Sequence, residues 1–203
     1  MTLSRELIGL TLEHLMLVGA AMLIAGSVAL PSGILVTRRP RLRRWVLGFA
    51  NVIQTVPSLA LFGFLIPVPF IGGIGAHTAI IALVLYALLP ILRNTVTGIL
   101  SVEPSVRDSA VGLGMTSRQV LWQVELPLAA PTILAGVRIA TVATIGTATI
   151  AAAIGAGGLG VLIFRGLATV DSALLLAGAI PAALMALSAD RVFEWLEHVY
   201  ART

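Results

Sequence analysis

Residues Ser101–Pro127, SVEPSVRDSAVGLGMTSRQVLWQVELP, are the one long polar-leaning interval in an apolar chain, and runs of membrane-spanning length flank them on both sides. The interval reads as two short helices around a turn. Pro104 suits a first helical turn, where its missing N–H costs nothing. Gly112 and Gly114 end that helix, because glycine enters the left-handed region without a Cβ penalty. Thr116 with Gln119 three residues on matches a capping box that opens the second helix. There Val120, Leu121 and Val124 share one face, while Arg118 and Gln123 point elsewhere. Pro127 is expected to stop this helix and start the next span. A small capped amphipathic knob suits docking into a groove on a soluble partner. Taken alone, it suits an interfacial helix lying on lipid headgroups equally well.

The 203 residues carry 58% apolar and 11% charged side chains, and the mean hydropathy is +1.03. Soluble domains carry roughly 25% charged residues, so the chain is read as an integral membrane protein. Cysteine is absent, which excludes a disulfide framework and a thiolate metal site. All 13 basic residues are arginine. The net charge of +4 is no nucleic-acid signal, because the arginines gather beside the apolar runs, where a topology bias puts them.

A helix needs about 20 apolar residues to cross the hydrocarbon. By that rule the chain is a single all-α transmembrane domain over residues 1–203, with five spans. They run from about Leu12 to Val36, Trp45 to Ile66, Ala76 to Thr97, Leu128 to Ile154 and Ser172 to Ala189. The linker after the first span holds Arg38, Arg39, Arg41, Arg43 and Arg44, so it is expected in the cytoplasm. Alternation then places the N-terminus outside, the Ser101–Pro127 loop inside and the C-terminus inside. The Gly-rich segment after the fourth span is read as an outer loop, with Asp171 favouring the start of the fifth span. It is no nucleotide cradle, since no strand precedes it and no Gly-Lys-Ser/Thr follows. The tail after Ala189 reads as an amphipathic cytoplasmic end.

Polar residues inside spans are the candidates for a passage. In the second span Asn51, Thr55 and Ser58 repeat at i, i+4 and i+7, with Gln54 near the same face and Pro57 breaking the backbone ladder. Such groups point at other helices or at a wet cavity; helix glue and a translocation lining weigh equally. Tyr86 and Pro90 mark the third span. Arg138 lies 11 residues past Pro127, roughly 16 Å along a helix. It either faces protein or water there, or snorkels to the headgroups. Glu13 and His14, at the outer end of the first span, are expected to be an interfacial pair reached by water.

Three pieces of sequence carry a family resemblance. Asp108-Ser109-Ala110, three residues, Gly114, nine residues, then Val124, one residue and Leu126-Pro127 resembles the EAA loop of ABC importer permeases, with Asp for Glu, Ser for Ala and Val for Ile. QTVPSLALFGFLIP resembles the permeases of quaternary-amine osmoprotectant importers for glycine betaine, choline and carnitine. IGAGGLG resembles the family's outer loop. The resemblance implies the permease core of a type I ABC importer in a bacterial inner membrane. It also implies a cytoplasmic ATPase that binds Asp108, Ser109, Ala110, Gly114, Val124, Leu126 and Pro127 as a coupling loop. ATP and magnesium would sit on that ATPase, with no cofactor on this chain. An extracytoplasmic substrate-binding protein and a second permease subunit, identical or a sister, complete the assembly. Asn51, Gln54, Thr55, Ser58, Tyr86 and Arg138 become the path or gate. Capture of a quaternary ammonium uses an aromatic box; aromatics here are 5% and unclustered, so tight binding is expected on the binding protein. The chain is not read as an enzyme. The alternatives are a permease for another small amine, amino acid or thiol-betaine, or an ATP-independent osmotic channel.

Overall fold

The computed structural model describes residues 3–201. All regular structure in them is helical: α1 Leu3–Thr37, α2 Pro40–Thr55, α3 Ser58–Leu65, α4 Ala76–Leu100, α5 Pro104–Gly112, α6 Ser117–Val120, α7 Leu126–Ile150, α8 Gly160–Thr169 and α9 Ser172–Ala201. A π-turn, Leu121–Glu125, joins α6 to α7, and a 3-10 turn, Ala151–Ile154, follows α7.

Four of the rods, α1, α4, α9 and the continuous Ser117–Ile154 unit, are long and apolar enough to cross a membrane. They pack in series, α1 on α4, α4 on α7 and α7 on α9, with α8 laid on α9. Lipid is as apolar as the side chains, so close van der Waals packing has to hold such rods together. Small residues permit it: Ala21, Ala25, Ala29, Ala82, Ala87, Ala140 and Ala148 are buried along the contacts. At Gly136 a Cβ would lie 2.4 Å from Asn94 Cβ and 2.8 Å from the Pro90 carbonyl, so α7 meets α4 there almost backbone to backbone. Phe62 and Leu83 fill the wider part of the core, and large apolar residues such as Leu23, Phe64 and Leu187 face outward.

The second expected span is not one straight helix. α2 and α3 meet at an angle of 101°. Pro57 has no N–H and disfavours the helical region for the residue before it, and Val56 accordingly sits at φ −73°, ψ 128°. The other spans differ in their limits. Pro127 does not stop a helix. The π-turn widens the ladder just ahead of it, with the Leu126 N–H reaching the Leu121 carbonyl five residues back, and this accommodates a proline that would clash with the carbonyl four residues earlier. The fifth span and the tail form one helix to Ala201, opened by the Asp171 carboxylate, which accepts from the N–H groups of Ala173 and Leu174 at 2.9 and 3.1 Å. The Gly-rich segment read as a loop contains α8.

Candidate functional site

The knob between α4 and α7 is built from local signals. Pro104 stands in the first turn of α5. The helix closes in a Schellman motif: Gly114 takes φ +83°, its N–H bonds the Val111 carbonyl at 2.9 Å, and the Met115 N–H bonds the Ala110 carbonyl at 3.2 Å. Gly112 keeps helical geometry, so Gly114 alone supplies the left-handed turn. The capping box is present: the Gln119 N–H donates to Thr116 Oγ1 and the Thr116 N–H to Gln119 Oε1. Asp108, Ser109, Gly114 and Pro127 are exposed, Val124 and Leu126 half-buried, and Ala110 buried. Val111 and Leu113 give the tip an apolar surface, 60% and 84% exposed.

Sequence reasoning passed over Glu125, the residue between Val124 and Leu126. Its carboxylate is fully buried. Arg38, in the corner between α1 and α2, donates from Nη2 to Oε2 at 2.5 Å. Arg107 of α5 faces Oε1 with Nε at 2.8 Å, an ion contact without in-line hydrogen-bond geometry, and its Nη2 donates to the Ile99 carbonyl near the end of α4. The signal was present. Glu125 stands four residues after Leu121 and so on the apolar face, in a chain whose α1–α2 linker is strongly basic.

The break in the second span is the next polar locus. Pro90 cannot donate to the Tyr86 carbonyl one turn back, and Gln54 Nε2 donates to that carbonyl instead at 2.9 Å. The Tyr86 hydroxyl in turn donates to the carbonyl of Val56, at the break. Two interrupted backbones thus complete each other. Asn51 and Thr55 lie on an exposed stretch of α2, where the Thr55 hydroxyl donates to the Val52 carbonyl at 2.7 Å. Ser58 belongs to α3, beyond the bend, so the one-helix face expected for Asn51, Thr55 and Ser58 does not exist. Arg138 stands apart from this group. Its Nε and Nη2 donate to the two carboxylate oxygens of Asp190 at 2.6 and 3.0 Å, and Nη1 lies 3.5 Å from Glu197. The guanidinium therefore faces α9, in a cleft with Ala135, Ile139 and Val142.

Toward the other end of α1, Glu13 is exposed as expected but His14 is not, so the two do not form a water-facing pair. His14 is fully buried, with Nε2 3.1 Å from the Ile145 carbonyl, and Glu13 Oε2 accepts from the Gly158 N–H at 3.0 Å. The helix starts at Leu3, not near Leu12, which sets His14 inside the bundle, while the exposed Glu13 reaches the Gly-rich turn. That turn needs glycine: Gly157 has φ +82°, and a Cβ there would lie 2.4 Å from Glu13 Oε2. Among the described residues no three His, Cys, Asp or Glu side chains converge as metal ligands.

Residues 15–201 match the model of the family described as binding-protein-dependent transport system inner membrane component. The chain is 50% identical over 186 residues to the glycine betaine/carnitine/choline transport system permease protein OpuCD of Bacillus subtilis, covering 91% of this chain and 80% of that protein. It is 48% identical to the choline transport system permease protein OpuBD of the same organism, covering 91% and 81%. It is 45% identical to the osmoprotectant import permease protein OsmW of Salmonella typhimurium, covering 95% and 88%. Its fold is similar to a chain of the inward-facing MetNI methionine ABC transporter, with TM-score 0.79, 26% identity and coverage of 94% and 96%.

Proposed function

The chain belongs to the family of binding-protein-dependent transport system inner membrane components, and from that premise we propose its substrate class, its membrane orientation and the residues that couple it to ATP. It is a permease subunit of a type I ABC importer and not an enzyme. Its substrates are quaternary-amine osmoprotectants of the glycine betaine, choline and carnitine class. The names of relatives at 45–50% identity support this, as does the QTVPSLAL stretch. The observation that carries the coupling assignment is the shape of residues 101–127: a doubly capped two-helix knob with exposed Val111 and Leu113 at its tip, standing between two spans. Asp108, Ser109, Ala110, Gly114, Val124, Leu126 and Pro127 form or shape the surface and stem that meet a cytoplasmic ATPase.

The knob end of the bundle faces the cytoplasm. The Arg38–Glu125 contact brings the arginine-rich α1–α2 corner to the same end as the knob, so the charge bias and the docking surface agree. The membrane is then a bacterial inner membrane, crossed several times, with the N-terminus outside and the C-terminus inside. Nucleotide and magnesium belong to the ATPase, and an extracytoplasmic binding protein delivers substrate. Four rods and a bent pair are too few to enclose a path, so a second permease subunit closes it. Closure of the ATPase dimer draws the two knobs together and turns the helices from inward-open to outward-open. Asn51, Gln54, Thr55, Ser58 and Tyr86 line or gate the passage near the bend, and Arg138 acts at the α7–α9 contact.

Reconstitution with the ATPase and binding protein tests this reading. Wild-type complex should take up radiolabelled glycine betaine, choline or carnitine in the presence of ATP. Gly114→Asp should insert normally yet lose substrate-stimulated ATP hydrolysis; full retained stimulation would refute the coupling assignment. Arg138→Ala should slow uptake, and uptake at the wild-type rate would remove Arg138 from the path.

A further inference from the structure

We propose that Glu125 is a positioning residue that transmits displacement of the knob to the membrane helices. The inference rests on the coupling role proposed for residues 101–127 and adds the joint through which the work passes. Burial of a carboxylate is tolerated only when opposite charge and hydrogen bonds replace water. Glu125 meets that condition with two arginines from different parts of the fold: Arg38 at the α1–α2 corner, 2.5 Å away, and Arg107 on α5, 2.8 Å away. Arg107 also donates to the Ile99 carbonyl of α4. One carboxylate at the foot of α7 therefore ties the corner after α1 to the first helix of the knob, whose Arg107 in turn holds the end of α4. Apart from it, α5 is joined to the bundle through its own chain, the Arg107–Ile99 hydrogen bond and its packing on α6 and the π-turn.

Two further features suit a joint. Glu125 closes the π-turn Leu121–Glu125, a local change of helical register inside a continuous rod, and such turns let a helix adjust without breaking its ladder. A cleft lined by Arg38, Arg107, Val111, Ser117, Val120 and Glu125 separates α5 from the rod, so the knob has room to move against it. The two arginines differ in environment: the Arg38 side chain is 55% exposed and that of Arg107 22%. Water weakens the Arg38 contact more. Arg38 supplies the hydrogen bond from the more exposed side, and Arg107 the more buried ion contact from the knob, so the carboxylate holds one link to the corner after α1 and one to α5.

The test uses permease, ATPase and binding protein co-purified and reconstituted in liposomes, reading ATPase co-purification and substrate imported per ATP hydrolysed. Glu125→Gln keeps shape and removes charge. It should retain the ATPase while import per ATP falls about tenfold, as for loss of a typical coupling energy. Glu125→Asp should recover part of the ratio. A wild-type ratio in Glu125→Gln would overturn the proposal, and so would loss of the ATPase from a folded Glu125→Gln permease, which would make Glu125 a docking determinant. If Glu125→Gln fails to insert, Arg107→Gln and Arg38→Gln decide: a lowered ratio in either supports the joint, and wild-type ratios in both refute it. Absence of the ATPase from the wild-type complex would instead refute the coupling reading itself.

Discussion

A glutamate pins a turn at each end of the bundle, and the two are held by different physics. Glu13, ten residues into α1, and Arg38, just past its end, are 25 residues apart and so about 37 Å along its axis. At the Glu13 end the partner is a neutral backbone N–H, that of Gly158, and the fit depends on glycines with no space for a Cβ. At the Glu125 end the partners are two arginines, and Gly114, at the turn of the knob, has open space around it. The first end is built on steric exclusion, the second on charge and capping. A sterically closed end resists movement, whereas an ionic joint beside a cleft permits it. Adding a methyl group should therefore damage the first end most, and removing charge the second.

The largest effect is expected at Gly160, where a Cβ would lie 1.9 Å from the Thr149 carbonyl oxygen. Gly160→Ala should cost at least the roughly 1–3 kcal/mol of typical overpacking, read as a lowered melting temperature or lost monodispersity in detergent. A wild-type melt would break the comparison at its steric end. Gly157→Ala comes next, because the contacted atom is a side-chain oxygen that can shift. It should cost about 1–3 kcal/mol, and pairing it with Glu13→Ala should give less than additive loss in a thermal-melt cycle. Gly114→Ala sharpens the contrast. Its φ of +83° matches Gly157, yet nothing stands within 4 Å of a Cβ, so only the left-handed cost of about 1–2 kcal/mol applies. The smallest effect belongs to Arg165→Ala, which removes a partly exposed pair with Glu6 at 2.8 Å. It should shift the melt by no more than about 1 kcal/mol, and less in high salt.

The sequence disclosed what short-range chemistry determines. Pro104, Gly114 and the Thr116–Gln119 box each act within a few residues, and the knob they predict is the knob that forms. Long-range partners were hidden. Arg38 and Glu125 are 87 residues apart, and a basic linker advertises topology before it advertises a counter-ion. Arg138 was singled out for its depth, but Asp190 was read as the start of an amphipathic cytoplasmic end because hydropathy drops there while the helix does not end. Pro57 announced a break in the second span, whereas its 101° bend depends on tertiary contacts such as Tyr86 reaching the Val56 carbonyl. His14 was misjudged because the polar residues between Leu3 and Leu12 disguised the first turns of α1.

The absence of cysteine offers a direct test of the central claim that the knob meets an ATPase in the cytoplasm. Leu113 stands at the exposed tip, and a Leu113→Cys permease carries a single thiol there. In inside-out vesicles containing the ATPase, a short bifunctional reagent should link that thiol to the ATPase, with a yield that changes when ATP is added. Labelling of the thiol by a membrane-impermeant reagent applied outside intact cells, or no crosslink in an assembled complex, would contradict the account.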